Sequence, residues 1–425
     1  MRASHTLLQP VIALDPVSRS QLMTERQPNH GHLVIHVILE FCKPITLVEL
    51  RLAFVKVFLD ANPDSRLHYT IEHGYWTYVD SLDLEDYHFQ ERSPLKQAST
   101  QSITELVDEL AAEGLKFSHP PWQVVLANSS TAIFRFHHAL GDGATIMRQL
   151  LSENLPASSP HVTVSSRPLQ FNLWEKLKAV MNLLTVFPDP TGGLRLQRRP
   201  EKLNPVSHFG ILNHSVLELK TAAQSLDSTI NDVLTCALSL ALTRTLSLTR
   251  DTLATIWVAL PTDPQKGITQ WGNENLGVSY VKLSREYDLS RSLRASVERL
   301  ESVKKSPEPF IVNWALRSLS LMSRLPFLKR ILFPLFTDKA SVSISNLKGP
   351  EIRLAWPAGL AEVARLHIIT PPIMRMGLMI NFISYAGHFS IGLCGENSIL
   401  STHELQRIAA AIDVAISDLI SLDQS

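Results

Sequence analysis

Apolar positions change period several times along the chain, and each change marks an element. Residues 33–41 (LVIHVILEF) are rich in β-branched and apolar side chains and predict a strand. Thr46-Leu47-Val48-Glu49 fits a capping box, and the helix it opens is expected to end near Asn62-Pro63. An amphipathic helix is predicted from Ile103 to Ala112. The break at Pro120-Pro121 releases a strand at Trp122, and a second strand runs from Thr131 to Phe136. Asn128-Ser129-Ser130 supplies the hairpin between them. After Gly143 a helical pattern starts and runs to about Leu151.

The pattern then loosens. Residues 155–205 read as a crossover with one helix, Leu173 to Leu184, and a Pro- and Gly-rich stretch. Beyond it, Val216-Leu217-Glu218-Leu219 predicts a short strand. Ser228 or Thr229 caps a long helix from Ile230 to Leu246. Thr255 to Leu260 and Asn275 to Leu283 predict strands. Ile380–Tyr385 and His388–Cys394 predict a hairpin around Ala386-Gly387, and a last helix runs from about Thr402 to Leu419. Strands mixed with helices in both halves predict an α/β protein of two layered domains. The expected bounds are 1–165 and 206–425, with a crossover linker at 166–205.

Composition narrows the function classes. A chain of 425 residues with 45% hydrophobic and 19% charged positions is globular and long enough for two cores. Lys+Arg equals Asp+Glu, so no general attraction to nucleic acid is expected. Cys42, Cys236 and Cys394 are far apart, which argues against a zinc site or a disulfide framework. No charge-free apolar run is long enough to span a bilayer, and the N-terminus lacks the apolar core of a signal peptide. The expectation is a cytoplasmic protein, with a peripheral membrane position left open, and without metal or redox cofactor.

The densest chemistry is His137-His138-Ala139-Leu140-Gly141-Asp142-Gly143. A strand ends directly on the histidines, two glycines let the chain turn, and a helix begins. A histidine held this way titrates near neutrality and can serve as a general base. Asp142, four residues beyond His138, is suited to organising the turn. A histidine pair packed at a strand end is the plainer reading; two adjacent His, the turn glycines and the Asp together weigh against it. There is no Gly-x-Ser-x-Gly elbow, no phosphate-binding loop and no His-Glu-x-x-His.

HHALGDG resembles the HHxxxDG motif of the acyltransferase superfamily that includes chloramphenicol acetyltransferase, plant BAHD enzymes and condensation domains. The chain is most similar, within it, to the wax ester synthase/diacylglycerol acyltransferase family. Pro120-Pro121-Trp122 stands where that family has Pro-Leu-Trp, with Pro121 replacing Leu. Thr229-Ile230-Asn231-Asp232-Val233 resembles its TVNDV helix, and Gly272-Asn273-Glu274-Asn275 its GN segment. Ser345-Asn346-Leu347-Lys348-Gly349-Pro350 resembles SNVPGP, and Ser384-Tyr385-Ala386-Gly387 a late SY-G pattern.

The resemblance implies two chloramphenicol-acetyltransferase-like domains, mixed sheets flanked by helices, with the active-site channel between them. It implies His138 as the base that deprotonates an acceptor hydroxyl for attack on an acyl thioester, acyl-CoA being a co-substrate and not a cofactor. His137, Asp142 and Gly143 would shape the loop. Ser345 and Asn346 are the oxyanion candidates by this analogy. Asn231 and Asp232 are either functional or a helix start, and Trp122 is either core or substrate contact.

Two apolar segments bear on the acceptor. Leu173, Trp174, Leu177, Val180, Met181 and Leu184 share one helical face. Residues 311–336 combine Arg317, Arg324, Lys329 and Arg330 with a long apolar side. Such a segment can lie on a membrane or lipid-droplet surface, pack into a core, or line an acyl channel. The leading expectation is an O-acyltransferase acting on an apolar alcohol. A carrier-protein-dependent enzyme with a hydroxyl or amine acceptor, and a non-catalytic lipid-binding relative, stay open.

Overall fold

The computed structural model describes residues 11–25, 32–92, 100–152, 172–185, 204–246, 257–262, 272–273, 277–283, 288–321, 340–356, 359–372 and 376–422. The sequence readings for most of the crossover, and for the basic apolar segment from residue 322 on, fall outside these residues.

In the first half, β1 (Ile12–Ala13) and α1 (Pro16–Glu25) precede β2 (Val34–Phe41) and α2 (Leu47–Phe54). The hairpin of β3 (Tyr69–Glu72) and β4 (Tyr75–Tyr78) leads to β5 (Phe89–Glu91) and α3 (Thr100–Glu113). β6 (Trp122–Asn128) and β7 (Thr131–His137) follow, then α4 (Gly143–Ser152) and α5 (Leu173–Thr185). The second half runs β8 (Pro205–Ser215), α6 (Val216–Ser225), α7 (Ile230–Thr245), β9 (Trp257–Thr262) and β10 (Gly277–Lys282). It continues with α8 (Leu289–Lys304), α9 (Glu308–Leu321) and β11 (Val342–Lys348). It ends with β12 (Ala355–Trp356), β13 (Ala361–Ile369), β14 (Leu378–Tyr385), β15 (His388–Glu396) and α10 (Thr402–Ser421).

Local signals explain several of these. Thr46 and Glu49 make both bonds of the capping box that opens α2. Asn128 Oδ1 accepts from Ser130 N at 2.9 Å and folds the β6–β7 hairpin. Ala386 and Gly387 both have positive φ, as a two-residue primed hairpin turn requires. One expectation is corrected. Val216–Leu219 is the first turn of α6, not a strand. Ser215 and Glu218 form a capping box there, and that signal overrides the alternation of Val-Leu-Glu-Leu. The strand lies just before it, as β8.

Two six-stranded mixed sheets carry the fold, in the orders β12-β13-β2-β7-β6-β5 and β10-β9-β11-β14-β15-β8. The first packs its core from Ile35, Phe54, Trp122, Phe134 and their neighbours. The second buries α7 almost all round, from Asp232 to Thr243, against α6, α8 and α10 and in one core with Ile344, Ile380 and Leu393 of the sheet. β12 and β13 come from the second half of the chain but extend the first half's sheet, β13 pairing antiparallel with β2. β13 also abuts β15. A Cβ on Gly392 would stand 2.0 Å from Ile368 O, so only glycine permits that approach.

The halves also meet where α3 packs on β8. Asp108 lies there beside Ser207, with its Oδ1 fully buried. Burial raises its pKa to about 7, and Glu105 and Glu109 add to the rise. Because the folded pKa exceeds the unfolded one, the native state favours the protonated acid. Its contribution, at most about 4 kcal/mol, is complete below pH 4 and is lost as pH rises to about 7. Asp108→Asn is therefore expected to raise the melting temperature by several degrees at pH 8 and to change it little at pH 4. Thermal unfolding at the two pH values reads this; equal shifts at both would contradict it.

Candidate active site

β7 delivers two histidines to one turn. His137 is its last residue and is fully buried. Ala139 N donates to His137 Nδ1 at 3.0 Å, so the ring proton sits on Nε2. That nitrogen donates to Glu25 Oε2. Burial would raise the Glu25 carboxyl, but His137, with His32 behind it, outweighs burial and holds it well below the usual range. His138 begins a short 3₁₀ turn, His138–Leu140, and is 6% exposed. Burial lowers its pKa against the opposing pull of Asp142, so the imidazole stays neutral and able to accept a proton. Its Nδ1 lies 3.0 Å from Gln21 Nε2.

Asp142 caps α4: its Oδ1 accepts from Thr145 N at 2.7 Å, and its carbonyl accepts from Ile146 N. Neither turn glycine has the left-handed φ that a sharp turn would suggest, and Gly141 is extended at φ 164°. Space is what excludes a side chain at Gly141, where a Cβ would come within 2.7 Å of Thr145 Cγ2. At Gly143 it would come within 3.2 Å of Leu347 Cδ1. That contact brings the end of β11 against the start of α4.

α1 and one loop from the second half complete the arrangement, and neither was assigned a role from sequence. Asp15 Oδ1 accepts from Ser18 N and caps α1, with Pro16 in the first turn. Ser18, Gln21 and Glu25 follow at spacings of three and four and therefore share a helix face. Ser18 Oγ donates to Ala139 O at 3.0 Å, Gln21 meets His138, and Glu25 meets His137. Gly272 N donates to Leu140 O at 2.8 Å. Asn273, 2% exposed, reaches His138 O at 2.7 Å, Ser18 Oγ at 2.9 Å and Gln21 Oε1 at 3.1 Å with its Nδ2. The Asp-Pro pair before α1 was the available sequence signal for the helix.

The remaining candidates divide. Asn346 Nδ2 donates to Asn231 Oδ1 at 2.6 Å, so these two pair with each other at the start of α7. Asp232 completes a capping box with Thr229 and lies 3.9 Å from Lys304 Nζ. Ser345 is on the opposite face of β11 from Asn346, the face that also carries Leu347 towards Gly143. Trp122 is fully buried in the first core, stacked 4.0 Å from His88, with its indole N–H donating to Leu67 O. Beside the turn, Met147 and Leu150 of α4 line a narrow apolar pocket with Leu39, Trp356 and Leu366. Among the described residues no His, Cys, Asp or Glu cluster could hold a metal ion, and no helix is long and apolar enough to cross a membrane.

Comparison with known proteins follows this geometry. Residues 52–186 match the wax ester synthase/diacylglycerol acyltransferase catalytic domain, and residues 271–419 match the WS/DGAT C-terminal domain, together more than half of the chain. A Mycobacterium bovis protein with a provisional diacylglycerol O-acyltransferase name is 26% identical over 381 residues, covering 76% of this chain and 73% of that protein. The solved wax ester synthase/diacylglycerol acyltransferase of Marinobacter aquaeolei VT8 shares the fold, with TM-score 0.66 and 19% identity over 97% of this chain and 100% of that one. A trichothecene 15-O-acetyltransferase from Fusarium sporotrichioides has TM-score 0.62 and 13% identity, over 95% and 94% of the two chains.

Proposed function

We propose, from the premise that the chain belongs to the wax ester synthase/diacylglycerol acyltransferase family and is an acyltransferase, that it moves an acyl group from acyl-CoA to the hydroxyl of an apolar alcohol, with His138 as general base. The observation that carries this reading is a buried, neutral imidazole hydrogen-bonded to its own backbone carbonyl, an acceptor that places the ring proton on Nδ1 and leaves Nε2, without a partner among the described residues, free to accept. Such a nitrogen takes the acceptor's hydroxyl proton as the oxygen attacks the thioester carbonyl. The C–O bond forms, the carbonyl electrons move to oxygen, and their return expels the thiolate. The imidazolium returns the proton to sulfur.

Ser345 is the better oxyanion donor of the two β11 candidates. Asn346 already pairs with Asn231, whereas Ser345 shares the strand face whose Leu347 meets Gly143. Asp142, His137 and Gly143 hold the turn. Leu173 and Trp174, 75% and 77% exposed beside Lys176 and Lys178, support delivery of the apolar alcohol from a lipid surface.

The test is a product screen by mass spectrometry. Palmitoyl-CoA is offered with hexadecanol, with a diacylglycerol and with hexadecylamine, and a carrier-bound palmitoyl thioester replaces it in parallel. Ester formed from palmitoyl-CoA with matching release of free CoA is the expected result. Turnover of the carrier-bound donor alone, or amide alone, would overturn the donor or the acceptor assignment.

A further inference from the structure

We propose that α5 is an in-plane anchor for an anionic lipid surface, its apolar face held against the bilayer that supplies the acceptor. The inference rests on the reading of the acceptor as an apolar alcohol. A surface helix of a soluble protein turns its apolar side to the core and its polar side to water. α5 is mounted the other way round. Leu173, Trp174, Leu177, Val180 and Met181 are all exposed, and helical spacing puts them on one side. Ala179, on the opposite side, is buried. A contiguous exposed apolar face of this kind marks a surface that meets a partner.

The charges on the helix say which partner. Lys176 stands four residues before Val180 and Lys178 four after Trp174, so one lysine borders each edge of the apolar sector. Glu175 lies across the helix from that sector and is occupied at the helix start. Its carboxylate accepts from Asn172 N at 2.8 Å, and its own N–H donates to Asn172 Oδ1 at 2.9 Å. Apolar side chains with a lysine on either flank fit the boundary between acyl chains and anionic headgroups. There a lysine lays its stem along hydrocarbon and keeps its ammonium among the phosphates. At 13 residues, α5 lies in the plane of such a boundary and not across it.

The neighbouring helix carries the same signal. α9 packs against α5 and bears Trp314; Trp174 and Trp314 are the exposed tryptophans among the described residues. Indole, apolar with one N–H, suits a surface that is greasy on one side and wet on the other. α9 packs in turn on α1, whose Ser18, Gln21 and Glu25 meet the histidine turn. The anchor is therefore joined to the turn of His138 through two packed helices. A second copy of the chain fits this face less well. An isologous contact pairs a surface with itself and would bring the lysines of one copy beside those of the other.

The full chain is sedimented with vesicles of phosphatidylcholine, and with vesicles of equimolar phosphatidylcholine and phosphatidylglycerol. The parent is expected to bind the anionic vesicles at least about tenfold more tightly, each lysine contributing about fivefold. Lys176→Gln with Lys178→Gln should bring binding down towards the level of the neutral vesicles. Leu173→Ser, Trp174→Ser and Met181→Ser together should weaken binding to the anionic vesicles by at least about a hundredfold. The replaced side chains are exposed, so this apolar variant should match the parent on palmitoyl-CoA and hexadecanol in detergent. With hexadecanol presented in the anionic vesicles it should be at least about tenfold slower. A parent that binds neither vesicle, an apolar variant that binds as the parent does, or a parent dimer that the apolar variant lacks overturns the proposal. Vesicle binding by a parent that forms no ester leaves the anchor in place and sinks the acceptor assignment instead.

Discussion

His138→Ala is expected to lower ester formation by about a hundred- to ten-thousandfold, the usual contribution of a positioned base. The fall should appear in kcat, because the proton is transferred only in the chemical step. The fold should tolerate the change. The side chain projects from a turn whose backbone is held independently: His138 N donates to Leu33 O, and His138 O accepts from Asn273. His137, the fully buried partner of Glu25, is untouched. Thermal unfolding should therefore shift by only a few degrees. Steady-state rates with palmitoyl-CoA and hexadecanol, set beside unfolding curves, make the comparison. Parental rates in His138→Ala would remove it as the base. The pH profile adds a sign: burial lowers the His138 pKa, so the neutral, reactive form persists below the ordinary histidine range and the acid limb should lie there too.

What was readable in sequence follows from which signals are local. The strand of residues 34–41, the capping box at Thr46, the β6–β7 hairpin and the HHALGDG turn all declare themselves within a few residues, and the structure has each of them. α1 does not. Ser18, Gln21 and Glu25 look like a solvated helix face, and the fold turns that face inward onto residues more than a hundred positions away. Asn273 stood out as part of a motif, but its partners are in α1 and at His138, which no local pattern couples to it. Ser345 and Asn346 are neighbours in sequence and were weighed together. Strand alternation parts them, one towards α4 and the other onto Asn231. β13 reads as an ordinary apolar strand, and nothing in it announces that it will pair with β2, across the boundary between the halves. The candidate site is therefore legible at its histidine turn and hidden at its supports, since supports are defined by contacts and not by residue type.

Asn273→Leu is expected to lower kcat by about a hundredfold while stability falls by about 2–4 kcal/mol. The amide of Asn273 is the side-chain tie between the second half of the chain and the histidine turn, beside the backbone bond from Gly272 N to Leu140 O. Its Nδ2 lies within 3.1 Å of three acceptors, the carbonyl of His138 among them. Leucine has similar bulk and no donor, so the His138 carbonyl and the Ser18 hydroxyl would each lose one partner and keep one, Gly141 N and Ala139 O, at about 1–2 kcal/mol apiece. The turn can recover only by moving, and a displacement of about 1 Å at a catalytic group can cost about a hundredfold in rate. Asn273→Asp should be worse for catalysis than for folding. A carboxylate cannot donate to the His138 carbonyl, and it sets a negative charge near Gln21 and the ring. Asn273→Gln keeps the donor on a longer arm and should recover part of the activity. The discriminating measurement is kcat at a temperature where all three variants are fully folded, with unfolding curves on the same samples. If Asn273→Leu loses stability but keeps parental kcat when folded, the tie serves only to join the halves and the aim of His138 is set without it.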